Sequence, residues 1–590
     1  MVRCACTLLV VRVLGATRYG HTTSRDLCCC IRARTCAHAC APRPRLRPRP
    51  RLALTQTPRP RHRDWDGAHE AKLHVPHLES LRAAGTSFPQ GATVPAPVCA
   101  PSRACFASLR EYDYAGVANN LDSDYPAGTL PTYFSALQDA GYHTMVAGKD
   151  DLTKKTRLGA TLGRLNLNAR STYNAETLGF SESRRCLGKR DVFHAFPKPG
   201  DPYGQFLAAH TVNGHNAFDV NAACLNFPRS DKELCKNRTS HPQMMYQDDW
   251  TAGQAVELLD NAPADKPWFM WVSFPGPHDP FDVTGPMATA GDGRTWPASV
   301  DPVRIEKTQQ SEGYPSHGNT RANYASEIEN LDRLFGLVLD SVRARGHSES
   351  DTVVCVSSDH GEMLNDHRAM GKMSPWQGSL NVPLVCTGPG IQRNASLAVP
   401  VALIDLGATF LDMAGAKQAS GTTARSFRGL LEGDDVETRN RTIVLSGLQS
   451  TNFKASSLPS SDLKASSDVS GMLNASHTRL ERWFHDALFD ADYSWRTAAI
   501  ERPGGHIYKF VCCKGKCPSA PSNVGPPDAD GYTRLLYDTT ADPSDMNDIR
   551  LDKPDVVDKL QRALPRHHDF DCTGSRDSRD PYVLSTDSRQ

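Results

Sequence analysis

Four short polar stretches of the 590-residue chain hold side chains able to do chemistry on an anion: "GKDD" (148–151), "GPHDPF" (276–281), "SSDHGE" (357–362) and "GKMSPWQGS" (371–379). Together they supply Lys149, Asp151, His278, Asp359, His360 and Lys372. Lysines and histidines offer charge and donors to an oxyanion, and carboxylates offer hard oxygen ligands to a cation. Taken singly, each has an ordinary reading: a surface lysine, a helix-capping aspartate, a loop histidine. A fifth stretch, "PVCAPSRACFASLR" (97–110), packs Cys99, Pro101, Ser102 and Arg103 into a few positions. A core segment has little use for that mixture, and a plain turn does not need the arginine. Cys99 is therefore a candidate precursor of a nucleophile. As a lone cysteine it reads instead as a buried thiol or as half of a disulfide with Cys105.

The elements that must position these residues alternate between helical and strand patterns from about residue 64, the signature of an α/β domain with a largely parallel sheet. "VPHLESLRAAG" reads as an amphipathic helix stopped by Gly85, and "TLPTYFSALQDAG" as another, stopped by Gly141 and followed by strand-like "YHTMVAG". "DDWTAGQAVELLDNA" predicts a helix leading into a buried strand, "PWFMWVSF". Residues 319–346 form the longest helical pattern and precede the β-branched "DTVVCVSSDHGE". "VPLVCTGPG" predicts a further strand and "LIDLGATFLDMAG" a helix. Ligands in such sheets bind beyond the carboxyl ends of the strands, which is where the polar stretches fall.

After about residue 440 the texture changes. "TIVLSG", "SWRTAAIE", "IYKFVCC" and "RLLYDTT" are short strand candidates, with "DVVDKLQRAL" as a closing helix and a Ser-rich loop or linker at 455–470. The expected organisation is a leader over 1–63, a catalytic domain over 64–440, a small antiparallel subdomain over 441–565 and a tail over 566–590.

The net charge of +1 hides an asymmetry: residues 1–63 hold 14 arginines against one acid, Asp26, so they carry +13 and the rest of the chain −12. A mildly acidic body argues against nucleic acid or an anionic membrane as the main partner. Seven of the 18 cysteines also lie in 1–63, within low-complexity sequence that can bury little. "CTLLVVRVLGA" (6–16) is signal-like but interrupted by Arg12, and no later run is long and apolar enough for a transmembrane segment. Sequons at Asn237, Asn394, Asn440 and Asn474 give mild support to secretion. "CCKGKC" (512–517) reads as a disulfide-bearing turn or plain thiols, with a metal loop as the alternative.

Cys99-Ala-Pro-Ser-Arg103 resembles the C-x-P-S-R signature of the sulfatase family. "AGYHTMVAGKDDL", "GPHDPF", "SSDHGEMLNDH" and "GKMSPWQGSLNVPLV" resemble its later motifs in order, and "RLLYDTTADPSDMNDI" resembles its closing motif. The resemblance covers roughly residues 64 to 565. It implies an alkaline-phosphatase-like α/β fold whose largely parallel sheet is flanked by helices, with a smaller C-terminal antiparallel sheet. It further implies that a formylglycine-generating enzyme reads Cys99, Pro101 and Arg103 and oxidises Cys99 to formylglycine. The hydrated aldehyde would attack sulfur, expel the alcohol and then release sulfate. Arg103 would stabilise the modified residue, and Lys149 and Lys372 would bind the sulfate oxygens. His278 would contact sulfate and protonate the leaving alkoxide. Asp359 and His360 match the pair that holds calcium in the family. The implied substrate is a sulfated carbohydrate or a small sulfate ester. The implied location is the secretory pathway, either secreted or lysosome-like.

Two departures from the family pattern stand out. The position after Gly-Lys that is normally histidine is Asp151, a carboxylate able to act as a base. The opening strand that ends in Asp-Asp should precede "RDWDGAHEAKLHVPHLESL", yet "RLALTQTPRPRHR" stands there without a carboxylate. Asp64 and Asp66 are the nearest acids. Asp359 and His360 alone are too few for calcium, which takes six or more oxygens. Three readings follow: a formylglycine-dependent sulfatase, a related phosphonate or phosphate ester hydrolase, and a catalytically impaired binder of sulfated glycans.

Overall fold

The computed structural model describes the backbone of residues 4–12, and residues 73–120, 124–153, 175–189, 191–193, 201–212, 214–220, 242–291, 299–301, 317–434, 442–449, 494–502, 504–565 and 570–572. Asp64, Asp66, the Ser-rich run and the sequons at Asn237, Asn440 and Asn474 lie outside them. In chain order the elements used below are β1 (Cys4–Arg12), α1 (Pro76–Ala84), β2 (Thr86–Ser87), α2 (Cys99–Ser108), α3 (Tyr133–Asp139), β3 (His143–Lys149) and β4 (Glu182–Cys186). They continue with α4 (Gln247–Asn261), β5 (Trp268–Ser273), α5 (His317–Ala344), β6 (Thr352–Gly361), β7 (Val385–Thr387), β8 (Ala395–Ser396) and α6 (Leu403–Ala414). The C-terminal part contains β9 (Ile443–Gln449), β10 (Ser494–Arg502), β11 (His506–Lys514), β12 (Tyr532–Asp538) and α7 (Pro554–Ala563).

Strand period decides the layering. Successive side chains of β3, β5 and β6 alternate between two apolar clusters on opposite faces of the sheet. Val146, Phe269, Trp271, Val353 and Cys355 join one cluster with α2, α3 and α6. Met145, Ala147, Trp268, Met270, Val272, Val354 and Val356 join the other with α1, α4 and α5. Helix α5 reaches that face through Ile328, Leu331, Leu334, Val338 and Val342, at three- and four-residue spacing. A strand buried on both faces reads as a nearly continuous apolar run, as "WFMWV" does before Ser273.

The eight-stranded sheet runs β8-β2-β7-β6-β1-β5-β3-β4. Strands β3, β4, β5 and β6 share one direction, so the ends bearing Lys149, Ser273 and Asp359 lie on one rim. Strands β1 and β7 run the other way. The alkaline-phosphatase-like α/β architecture therefore holds. One feature departs from the sequence reading: Cys4–Arg12, expected within a leader that buries little, forms the strand between β5 and β6. Its apolar, β-branched core "TLLVVR" pairs antiparallel with both neighbours, Leu8 facing Val272 and Val356.

The second sheet, β9-β10-β11-β12, is antiparallel throughout. One face packs on Val556 and Leu560 of α7. The other contributes Val444, Trp495, Val511 and Tyr537 to the main core. Disulfides join Cys355 to Cys386, Cys512 to Cys572 and Cys513 to Cys517. "CCKGKC" is thus a disulfide turn. Phe570 and Cys572, in the expected tail, are buried against this sheet.

Gly148 shows how tightly the rim is built. Its φ is +92°, and a Cβ there would lie 2.1 Å from the Ser273 carbonyl oxygen and 2.7 Å from Thr251 Cγ2. Gly148→Ala is expected to lower stability in urea unfolding by about 2–4 kcal/mol, from backbone strain plus overlap. An unchanged midpoint would contradict this close approach of β3 to β5.

Candidate active site

Cys99 opens α2 and is fully buried. Its N-terminal position places the unpaired amides and positive end of the helix dipole nearby. One of those amides, Ala100 N–H, donates to Asn120 Oδ1 at 2.9 Å. Three cationic or donor-capable nitrogens surround Cys99 Sγ: Lys149 Nζ and Lys372 Nζ at 3.3 Å each, and His360 Nε2 at 3.2 Å. His278 Nε2 lies 2.8 Å from Lys372 Nζ. Burial alone raises the thiol pKa, but the charges of Lys149, Lys372 and His360 outweigh it and hold Cys99 well below its usual range. The surroundings suit a negatively charged or oxygen-bearing group at this position. Cys105 is also free and buried, so the disulfide alternative for Cys99 is not formed.

Lys149 and the His360 ring are held from behind. Lys149 Nζ pairs with Asp151 Oδ2 at 3.2 Å. His360 Nδ1 sits 2.9 Å from the Gly361 carbonyl, which only a protonated Nδ1 can satisfy. That bond fixes the ring with Nε2, the other nitrogen, turned toward Cys99. His278 Nδ1 faces the Asp279 carbonyl at 2.7 Å and its carboxylate at 3.0 Å. Burial and Lys372 push the His278 pKa down, but Asp279 leaves it above the ordinary histidine value. Lys372 follows a loop closed by Glu362, whose carboxylate accepts from the amides of Leu364 and Gly371.

Arg103 lies one turn after Cys99 and is 2% exposed. Its Nε donates to Asp359 Oδ2 at 2.9 Å, and its Nη1 to Ser273 Oγ at 2.6 Å and to the Lys149 carbonyl. Ser102 Oγ adds a bond to the Asp359 carbonyl at 2.6 Å. The helix therefore ties together the ends of β3, β5 and β6. Burial raises the Asp359 carboxyl pKa, but Arg103 reverses that and holds it at about 2.

The structure brings Cys99, Lys149, His278, Asp359, His360 and Lys372 to one rim, with Asp151 behind Lys149 and Arg103 behind Asp359. Two expected contacts differ. Arg103 hydrogen-bonds the strand ends instead of the Cys99 side chain, because Asp359, Ser273 and the Lys149 carbonyl take up its guanidinium. Asp151 meets Lys149, so its observed part is that of a counter-charge. The sequence reading missed Ser273 and Glu362. Ser273 was hidden at the end of an apolar strand, and Glu362 stood at the edge of a quoted motif.

The calcium ligands expected from Asp359 and His360 do not fit that ion. Among the described residues, the one group able to hold a metal is Cys99, Asp359 and His360, whose donor atoms lie within 4.8 Å of one another. It supplies a single carboxylate, and that carboxylate already accepts from Arg103 Nε and the His360 amide. Calcium takes six to eight oxygens. Strand β1, beside the rim, contains no aspartate or glutamate.

The sulfatase family profile matches residues 61–416. The chain belongs to the sulfatase family. Arylsulfatase K of Danio rerio is 26% identical over 388 residues, which is 61% of this chain and 63% of that protein. Choline-sulfatase of Rhizobium meliloti is 28% identical over 366 residues, or 58% of this chain and 63% of that protein. The match thus spans somewhat less than two thirds of each relative's length. In fold, the chain is similar to a phosphonate monoester hydrolase of Agrobacterium radiobacter, with TM-score 0.58, 19% identity and coverage of 83% of this chain and 90% of that one.

Calcium at about 1 mM is expected to stabilise this sulfatase-family chain by less than about 0.1 kcal/mol, the shift for a site with Kd above about 10 mM. Thermal unfolding with calcium and with chelator checks this. A saturable rise in melting temperature would show a fuller oxygen set than the rim provides.

Proposed function

We propose that this protein hydrolyses a sulfate ester, with Cys99 as the precursor of the nucleophile. The observation that carries the reading is the convergence of Lys149, Lys372 and His360 on one buried sulfur. An ordinary core thiol has no use for two ammonium groups, whose burial is costly without an anion. Oxidised by a formylglycine-generating enzyme, the residue would supply a hydrated-aldehyde oxygen that attacks sulfur and later regenerates the aldehyde as sulfate departs. Lys149 and Lys372 hold the sulfate oxygens and offset the charge that builds as the ester bond breaks. His278, with its raised pKa and its place against Lys372, donates the proton to the leaving alkoxide. His360 Nε2 lies 3.2 Å from the nucleophile's position and is better placed than Asp151 to take its proton. Arg103 fixes the rim. No step is assigned to calcium.

The substrate class is a sulfated carbohydrate or a small sulfate ester, in keeping with the arylsulfatase and choline-sulfatase relatives. The three disulfides among the described residues suit an oxidising compartment. Asn394 is exposed where a glycan could be attached. These features support the secretory pathway, with the protein secreted or lysosome-like. Among the described residues no helix is long and apolar enough to cross a membrane. The catalytic unit is assigned to 64–440 and the smaller subdomain to 441–565. The limited oxygen set on the rim favours one second reading, a binder of sulfated glycans without turnover.

The test is hydrolysis of sulfate and phosphate esters of one alcohol by protein coexpressed with a formylglycine-generating enzyme. The sulfate ester is expected to be preferred. Lys149→Ala or Lys372→Ala is expected to lower kcat/KM by about 100-fold or more, as when one charge-stabilising donor is removed. Preference for phosphate would favour the phosphonate or phosphate ester hydrolase reading. Retained affinity for sulfated ligand without turnover would favour the binder.

A further inference from the structure

The basic segment "SRRCLGKR" contains, at its next-to-last position, a buried cation that the proposed chemistry does not use. Lys189, three residues beyond β4, is 3% exposed. Its Nζ lies 2.7 Å from Glu327 Oε2, 2.7 Å from Tyr246 Oη, 3.1 Å from Asp282 Oδ1 and 3.4 Å from the Pro280 carbonyl. Two of those partners, Pro280 and Asp282, belong to the segment after β5 that carries His278. The same segment is held at other points by groups on or just before the helices. Asp248 of α4 accepts from Gly276 N–H at 2.8 Å. Tyr246 Oη donates to the Asp282 carbonyl at 2.9 Å, and Asn323 of α5 donates to the Phe281 carbonyl at 2.8 Å.

Charge makes Lys189 the centre of this arrangement. Asp248, Asp282 and Glu327 all act on it electrostatically, so one buried cation faces three carboxylates. Without the lysine, Asp282 on the loop and Glu327 on α5 would repel each other in a poorly solvated space, and the loop is the part able to move away. Lys189 also adjoins the other end of the site. A Cβ on neighbouring Gly188 would come within 3.4 Å of Lys149 Cε.

We propose that Lys189 is a positioning residue for His278: it neutralises the carboxylates beneath residues 276–282 and so fixes the imidazole against Lys372 and the leaving oxygen of the substrate. The inference rests on the sulfate-ester reading of the site. It predicts a particular kinetic signature, because misplacing a proton donor matters most when the leaving alcohol is a poor one.

The experiment compares full-length wild type, Lys189→Met, Lys189→Arg and Tyr246→Phe on an alkyl sulfate and a nitrophenyl sulfate, with inorganic sulfate affinity measured by calorimetry. Lys189→Met is expected to lower kcat/KM about 100-fold for the alkyl ester and less than about 10-fold for the nitrophenyl ester, within the range for general-acid catalysis. Lys189→Arg keeps the charge and is expected to recover most of the loss. Equal losses on both esters, or none, would overturn the proposal. If Lys189→Met does not fold, Tyr246→Phe carries the test, since it removes one bond to Lys189 and one to the loop; a steeper leaving-group dependence is again expected. If wild type turns over neither ester, the reaction assignment fails and sulfate affinity decides the positioning. Lys189→Met and His278→Ala should then weaken it equally, with no further loss in the double variant. Independent, additive losses would overturn it.

Discussion

A buried guanidinium holds the rim together. Arg103 projects from a helix whose side chains are all buried and bonds to groups at the ends of three strands: the Lys149 carbonyl, Ser273 Oγ and Asp359. A charge so placed is tolerable only when its donors find acceptors and a counter-ion is near; Asp359 is the counter-ion and one of the acceptors. The same helix begins at Cys99. The position of the sulfur is therefore set by the clamp, and the three nitrogens around it arrive on the elements the clamp joins or on loops beside them. Trp271 packs under the guanidinium at 5.7 Å and closes the apolar side.

The rim consumes its negative charge internally. Asp359 answers Arg103, Asp151 answers Lys149, and Asp279 answers His278. The cations left facing Cys99 make an anion site, which is why the donor set among the described residues falls short for calcium. The small sheet contributes from outside. Trp495 Nε1 donates to the Met373 carbonyl at 3.2 Å, and Lys509 Nζ to the Pro375 carbonyl at 2.9 Å. The loop bearing Lys372 is thus braced by the C-terminal sheet, and the subdomain is part of how the site is built.

Strands β3, β5 and β6 and helices α1, α3, α4, α5 and α6 were legible because each is strongly patterned and stopped by glycine or a polar break, whereas the two-residue β2 and β8 and the polar β4 carry no such pattern. Cys99, Lys149, His278, Asp359, His360 and Lys372 were legible because strand ends of one direction must meet on one rim. Other features were not. The α2 helix was obscured by Pro101 and by its mixed composition, although proline is tolerated in a first turn that lacks amide partners. Strand β1 was hidden in an arginine-rich leader, since a short apolar run gives no direction or partner. Lys189, Asp248, Asp282 and Glu327 are distant in sequence, and a pairing of buried charges leaves no periodic trace.

The most direct test of the central claim, that the cationic cage exists for a modified residue at position 99, is the mass of the Cys99-containing peptide from protein made in its natural source. The account predicts the mass of the aldehyde, formylglycine, in place of the thiol. An unmodified cysteine throughout the population would contradict it, leaving a site that holds an anion but lacks the nucleophile to cleave its ester.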